Sequence, residues 1–441
     1  MDPNSNIRVQ PYQEARMYST CATQDTPAAA LRRQEMTRMG DKGAAGHASA
    51  AGAGKPARSA NRHRSKRGQS ATKNGSPEMV QLLTPEGERR DSALDTFGNE
   101  YTVDFTDEEY RGFYRDMVVI RKLDTEAEAL QRQGELGIWA SLRGQEAAQV
   151  GSGRALQPQD MAFPTYREHG VLYCRGIDPI MPLGLFRGVD QGGWDPNKFK
   201  FHMYTIVIGA QTLHATGYAM GITKDGKVGG DDGEAVIAYF GDGATSQGDV
   251  NESFVWASVY QSPIVFFCQN NQYAISEPIE RQTRVPLYQR AAGFGFPGVR
   301  VDGNDVLATW AVTRTALDRA RRGEGPTLIE AYTYRMGAHT TSDDPTRYRL
   351  ASELEEWQAR DPIQRLRTFL TNQKLADDDF FAQVDEEAQA AASDLRQRVL
   401  AMPDPPPEKM FDHVYPHGSP ELDKQREQFL AYAASFEGGA H

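Results

Sequence analysis

Cysteine is scarce in this chain of 441 residues: there are three, Cys21, Cys174 and Cys268. Odd in number and far apart, they make neither a disulfide framework nor a metal-ligand pattern, and they suit a reducing compartment. Long apolar runs are missing as well. None approaches the roughly 20 residues needed to span a bilayer, so no membrane partner is expected. Excess positive charge is lacking, and a net charge of −11 weighs against wholesale nucleic-acid binding. The opening Met1-Asp2-Pro3-Asn4-Ser5 lacks the basic-then-apolar order of a secretory signal. No Gly-x-Gly-x-x-Gly follows the first strand, which ranks a nucleotide-binding oxidoreductase last.

Residues 42–77 contain no acid but eight basic side chains, Lys42, Lys55, Arg58, Arg62, Arg64, Lys66, Arg67 and Lys73, spaced by Ala, Gly and Ser. Such a stretch buries too little to offset its ordering entropy. Residues 1–95 are therefore expected to be a disordered basic arm, read as a solvated tail ahead of a docking segment for an acidic partner.

The richest stretch lies in the middle of the chain. Residues 235–240 are apolar without clean alternation and run into Gly241-Asp242-Gly243-Ala244. Residues 264–268 are similar and run into Gln269-Asn270-Asn271-Gln272-Tyr273. Both read as buried strands of a parallel sheet. Val250, Phe254 and Ala257 between them share a helical face. In such a strand-helix-strand unit ligands gather beyond the carboxyl ends of the strands. Asp242 offers a carboxylate oxygen, Asn271 an amide oxygen and Tyr273 a main-chain carbonyl, a donor set that suits magnesium. Gly241 and Gly243 clear the backbone for a phosphate, and the helix that follows can direct free N–H groups at it.

Gly241-Asp242-Gly243 followed by Asn271 resembles the thiamine diphosphate fingerprint. Over residues 96–407 the chain is similar to the alpha subunits of the decarboxylating component of 2-oxo acid dehydrogenase complexes, of branched-chain or pyruvate type. The resemblance implies an α/β fold: a parallel sheet flanked by helices over residues 96–350, with a helical extension and a C-terminal arm over 351–441 that packs on a partner subunit. It implies thiamine diphosphate and magnesium as cofactors, with Asp242, Asn271 and Tyr273 on the metal. Tyr166 and Arg167 match a pair that contacts the diphosphate. Gly243 and Ala244 belong to the fingerprint, and Ile206 and Ile208 match positions that cradle the aminopyrimidine ring. Gln269 stands where the branched-chain type has a phosphate-touching arginine; it can donate a hydrogen bond but brings no charge. His339, in Gly337-Ala338-His339-Thr340-Thr341-Ser342-Asp343-Asp344, matches a loop histidine near the reacting carbon and is the best catalytic candidate of nine histidines.

The same resemblance implies partners: a beta subunit in an alpha-2-beta-2 assembly, which supplies the carboxylate beside the aminopyrimidine, and a lipoyl-bearing dihydrolipoyl acyltransferase core. The implied substrate is a branched-chain 2-oxo acid. A pyruvate-type alpha subunit is the alternative, and a non-catalytic cofactor-binding scaffold a second. Asp2, Glu14 and Asp25 count against an organellar transit peptide, so a bacterial cytoplasm is expected rather than a mitochondrial matrix.

Elsewhere, Thr106 to Glu109 form a capping box opening a helix with Tyr110, Phe113, Tyr114 and Met117 inward. Gly144-Gln145-Glu146-Ala147 opens a second helix. There Ala147, Ala148, Gly151 and Ala155 keep one side thin, which points to close packing and interface geometry. Asn304 or Asp305 can cap a helix after residues 299–301. Residues 350–402 read as charged helices packed through Trp357, Ile363, Leu366, Leu370 and Leu400, and residues 403–441 as an extended arm.

Overall fold

In the computed structural model, which describes residues 79–190, 192–229 and 232–436, the two apolar runs are neighbouring parallel strands. The sheet has five: β1 (Met161–Phe163), β2 (Val236–Gly241), β3 (Ile264–Asn270), β4 (Gly298–Asp302) and β5 (Thr327–Tyr332). All pair in parallel, in the order β1-β2-β3-β5-β4. Their lack of alternation has a simple cause. Ile237 and Tyr239 join one apolar core, whereas Val236, Ala238 and Phe240 join another on the opposite face. Helices α1 (Asp107–Arg132), α2 (Glu146–Ala155) and α5 (Val306–Arg321) build the first core, and α3 (Ala210–Lys224) and α4 (Gly248–Val259) the second. A strand buried on both faces has no polar side to show.

The local signals are realised in detail. Thr106 and Glu109 form the reciprocal capping box of α1. The thin face of α2 lies against α5, where a Cβ on Gly151 would meet Val306 O and Thr309 at 2.9 Å. Asp305 caps α5 through Leu307 and Ala308 N–H at 3.0 Å.

Two boundaries differ from expectation. The basic run 42–77 lies outside the described residues, but the arm does not extend to residue 95. Val80, Leu82 and Leu83 are buried, and Val80 bridges in parallel to Val301 on β4. The second oxygen of Asp305 accepts from Leu82 and Leu83 N–H at 2.7 and 2.6 Å. One carboxylate thus anchors both a helix start and an edge segment. At the other end, Trp357 of α6 (Ala351–Gln358) packs on Tyr273, Tyr334 and Met336, while α7 (Pro362–Asn372) and α8 (Asp378–Leu400) pack into this chain's own core, Leu366, Leu370 and Val384 among it. Leu400, expected inside, is 49% exposed. The arm is not extended throughout, because α9 (Pro420–Ala434) is a helix with no buried residue. Among the described residues no helix is long and apolar enough to cross a membrane.

Asp124 of α1 is fully enclosed and holds the segment that precedes α2. It accepts from Trp139 Nε1 at 2.8 Å, Ser141 Oγ at 2.6 Å and Leu142 N–H at 3.1 Å. Burial nevertheless pushes its carboxyl up to about 7. The folded state then holds this proton more tightly than the unfolded chain, so stability falls as pH rises from about 4 to about 7. Asn at this position can still accept from Trp139 and Leu142 while donating to Ser141. Asp124→Asn is expected to stabilise the protein at pH 8 by on the order of 2 kcal/mol and to change nothing near pH 4. Thermal melts across that range check it, and a lower melting point at pH 8 would show that the three donors outweigh burial.

Candidate active site

The parallel sheet brings every expected site residue to one end. Asp242 follows β2 directly, and Asn271 follows β3. Gly241 sits opposite Gln269 in the ladder, so these two strand ends lie side by side. Tyr166 and Arg167 lie beyond β1, and Arg335 and His339 beyond β5. Together with Ile206, Ile208, Gly243, Ala244, Gln269 and Tyr273 they line one cavity of about 490 Å³. That volume falls within the range of small-molecule and cofactor sites.

Asp242 is fully buried, and burial pushes its carboxyl up to about 6 against the pull of the Gln282 amide, Arg335 and the main-chain N–H groups of Asp242 and Asn271. Its Oδ2 accepts from Gln282 Nε2 at 2.9 Å. Its Oδ1 is buried and accepts no hydrogen bond among the described residues. A buried carboxylate oxygen left without a donor fits a hard cation. Among the described residues Asn271 Oδ1 accepts only from Tyr273 N–H, at 3.3 Å, so it keeps acceptor capacity. Tyr273 O accepts from Arg335 Nη1 at 3.0 Å and keeps its second lone pair. Among the described residues no cluster of three His, Cys, Asp or Glu side chains offers a rival metal site.

The glycines divide their work. A Cβ on Gly241 would meet nothing within 4 Å, so its bare backbone borders the open cavity. A Cβ on Gly243 would lie 2.6 Å from Ala274 Cβ. Gly243 is therefore required by close packing of its turn on the following hairpin, a reason the sequence did not show. That turn, Asp242–Ser246, is a short 3-10 helix set before α4. Gly243 and Ala244 therefore border the cavity from this turn, and the start of α3, with Gly209 and Gln211, borders it as well.

Arg167 is buried and already oriented. Nη1 donates to Ser141 O, and Nη2 to His339 O at 2.8 Å and towards His339 Nδ1 at 3.2 Å. Two of its five hydrogens remain for an anion, so a full fork onto two phosphate oxygens competes with these contacts. Arg335, unassigned from sequence, supplies a second guanidinium. It holds Tyr273 O and Ile275 O, with its buried Nε unpartnered among the described residues. The signal that could have found it is its place shortly after β5, four residues before His339. With both guanidiniums facing Nδ1, His339 carries its proton on Nε2, which lies 3.5 Å from Tyr166 Oη. Burial, then Arg167 and Arg335, push this histidine down to about 3.

Gln269 is partly engaged by its neighbours and keeps a second amide hydrogen at the cavity. Its Nε2 donates to Glu168 Oε1 and its Oε1 accepts from Gln149 Nε2 at 3.2 Å. Glu168 is held by three donors, Thr165 N–H and Oγ1 on Oε2 and Gln269 on Oε1. His169, which sequence gave no role, is a core residue. It stacks on Trp139 and bonds Tyr204 and Ala140, and burial holds it neutral. Ile206 and Ile208 stand at the cavity mouth, 63% and 43% exposed. Ile138, Val207 and Ile275 continue this bare apolar rim.

The profile of the dehydrogenase E1 component family matches residues 114–408. The chain is 46% identical over 358 residues to 3-methyl-2-oxobutanoate dehydrogenase subunit alpha of Mycobacterium tuberculosis, covering 81% of this chain and 95% of that protein. It is 42% identical over 316 residues to pyruvate dehydrogenase E1 component subunit alpha of Staphylococcus aureus, covering 71% of this chain and 82% of that one. With a sheet, a cavity and relatives that agree, the chain belongs to the dehydrogenase E1 component family, among the alpha subunits of 2-oxo acid dehydrogenases.

Proposed function

We propose that this chain, with a beta subunit, thiamine diphosphate and magnesium, decarboxylates a branched-chain 2-oxo acid, and that the acyl group passes to a lipoyl arm on a dihydrolipoyl acyltransferase core. The observation that carries the reading is Asp242 Oδ1, buried without a donor among the described residues and lining a cofactor-sized cavity. When bound, thiamine diphosphate supplies a carbon nucleophile and an electron sink for loss of carbon dioxide.

The chain's own residues do the holding. Asp242 Oδ1, Asn271 Oδ1 and Tyr273 O take part of a magnesium shell. The remaining hydrogens of Arg167, the Tyr166 hydroxyl and the amides of Gly243 and Ala244 take the diphosphate. Ile206 and Ile208 present apolar surface to the aminopyrimidine ring. His339 keeps a proton at Nε2, facing the cavity beside Tyr166.

Proton movement at the aminopyrimidine needs a free carboxylate. The carboxylates lining the cavity are Asp242 and Glu168. The first is assigned to the cation and the second is already held by three donors from this chain. This supports a beta subunit as the source, as does the apolar rim, which is the kind of surface a partner covers. The greater identity to the 3-methyl-2-oxobutanoate relative favours a branched-chain substrate.

The purified chain with cofactor and magnesium is expected to show no turnover, and the chain reassembled with its beta subunit to act on 3-methyl-2-oxobutanoate in preference to pyruvate. Preference for pyruvate would assign the pyruvate type. Turnover by the chain alone would overturn the shared site. A reassembled protein that binds cofactor without dependence on magnesium and turns over neither acid would be a scaffold.

A further inference from the structure

We propose that Gln145 and Gln282 are positioning residues for the cation: Gln145 fixes Asn271 by accepting a hydrogen bond, and Gln282 fixes Asp242 by donating one. This rests on the reading of Asp242 and Asn271 as cation ligands.

An amide ligates a hard cation through one end only. Asn271 Nδ2 donates to Gln145 Oε1 at 3.2 Å, which turns its Oδ1 the other way. Gln145 is fully buried and lines the cavity, and its Nε2 has no partner among the described residues. It therefore acts on Asn271 purely as an acceptor. A side chain kept only for packing would not leave a buried donor unpaired beside a cavity.

Asp242 poses the complementary problem. A carboxylate has two equivalent oxygens, and a fixed site must use one. Gln282 Nε2 engages Oδ2 at 2.9 Å and leaves Oδ1 open. The same Nε2 reaches Glu277 O at 3.2 Å. Glu277 pairs with Ala274 in the hairpin that also carries Tyr273. Gln282 thus ties the cation's acidic ligand to the loop that presents its carbonyl ligand. Partners of this kind orient metal ligands, and their loss commonly costs about 10- to 100-fold in metal affinity.

The two glutamines have opposite chemical duties, and that makes the idea testable. Glu at 145 still accepts from Asn271. Glu at 282 cannot donate and sets a second negative charge against Asp242 Oδ2. A packing role would respond alike to both near-isosteric changes.

The test uses the chain assembled with its beta subunit, saturated with thiamine diphosphate, with Mn2+ as the probe and free Mn2+ read by electron paramagnetic resonance. Asp242→Ala is expected to abolish saturable binding. Gln282→Glu and Gln145→Leu are expected to weaken it by about 10- to 100-fold. Gln145→Glu should stay near wild type, and Gln282→Leu should fall between wild type and Gln282→Glu. Melting of the metal-free assembly reports folding separately. If Asp242→Ala abolishes binding but the two Glu variants behave alike, the positioning role is wrong and the cation site stands. If wild type shows no Asp242-dependent binding, the cation-site reading itself falls.

Discussion

Asp242→Asn is expected to lower turnover of the assembled enzyme by about 10³-fold or more while making the metal-free protein more stable, because the residue is held in a state that suits a cation and burdens the fold. Its carboxyl is pushed up to about 6 by burial, and its Oδ1 has no donor among the described residues. The sign follows from linkage. An acid whose folded value lies above its unfolded one destabilises the fold increasingly as pH rises between the two, from about 4 to about 6, and fully above that. Asn carries no charge and can still accept from Gln282. Metal-free Asp242→Asn should therefore melt higher than wild type at pH 8, by on the order of 1–3 kcal/mol. Below pH 4 the two should coincide. Magnesium and thiamine diphosphate together should raise the melting point of wild type and leave that of the variant unmoved. A variant that gains stability from the pair with wild-type concentration dependence would show that Asp242 is not a ligand.

Much of the frame was legible because burial on both faces leaves its mark on composition. The runs 236–240 and 264–268 could be strands only in a sheet covered twice, and the cores on either side use alternate residues of β2 as that requires. Parallel order then does the rest: strand ends collect at one edge, so Asp242, Asn271, Arg167 and His339 could be brought together from positions far apart. What stayed hidden is which polar atoms neighbours already occupy. Gln269 looked fully available for a phosphate, yet Glu168, distant in sequence, takes one of its two amide hydrogens. Gly243 looked like clearance for a ligand, yet Ala274 needs the space. Val80, Leu82 and Leu83 were masked by the low-complexity run before them, since a short apolar segment shows no period. Its partner, Asp305, looked like an ordinary helix cap. Gln145 showed only as part of a helix start and Gln282 carried no local pattern, because their value lies in contacts across the fold.

His339→Gln is expected to reduce kcat by about 10²–10⁴-fold, the range for loss of a positioned proton donor or acceptor, with a smaller change in cofactor affinity. Affinity should hold because Arg167 keeps its contacts to Ser141 O and to the main-chain carbonyl of residue 339, neither of which needs the imidazole. The pH behaviour separates this role from a structural one. In the empty site burial and the guanidiniums of Arg167 and Arg335 hold the ring neutral down to about 3. The unfolded chain takes up that proton near 6.5, so the fold loses stability as pH falls from about 6.5 towards 3. His339→Gln should remove this part of the acid sensitivity of the empty protein. A bound diphosphate places negative charge against the same two guanidiniums and offsets their push, so the histidine should titrate higher in the loaded enzyme than in the empty one. Nuclear magnetic resonance of ring-labelled His339, with and without thiamine diphosphate and magnesium, reads that shift directly. An unshifted ring and an unchanged kcat in the variant would return His339 to the role of a hinge for the loop that Asp343 fastens through its N–H at 2.8 Å.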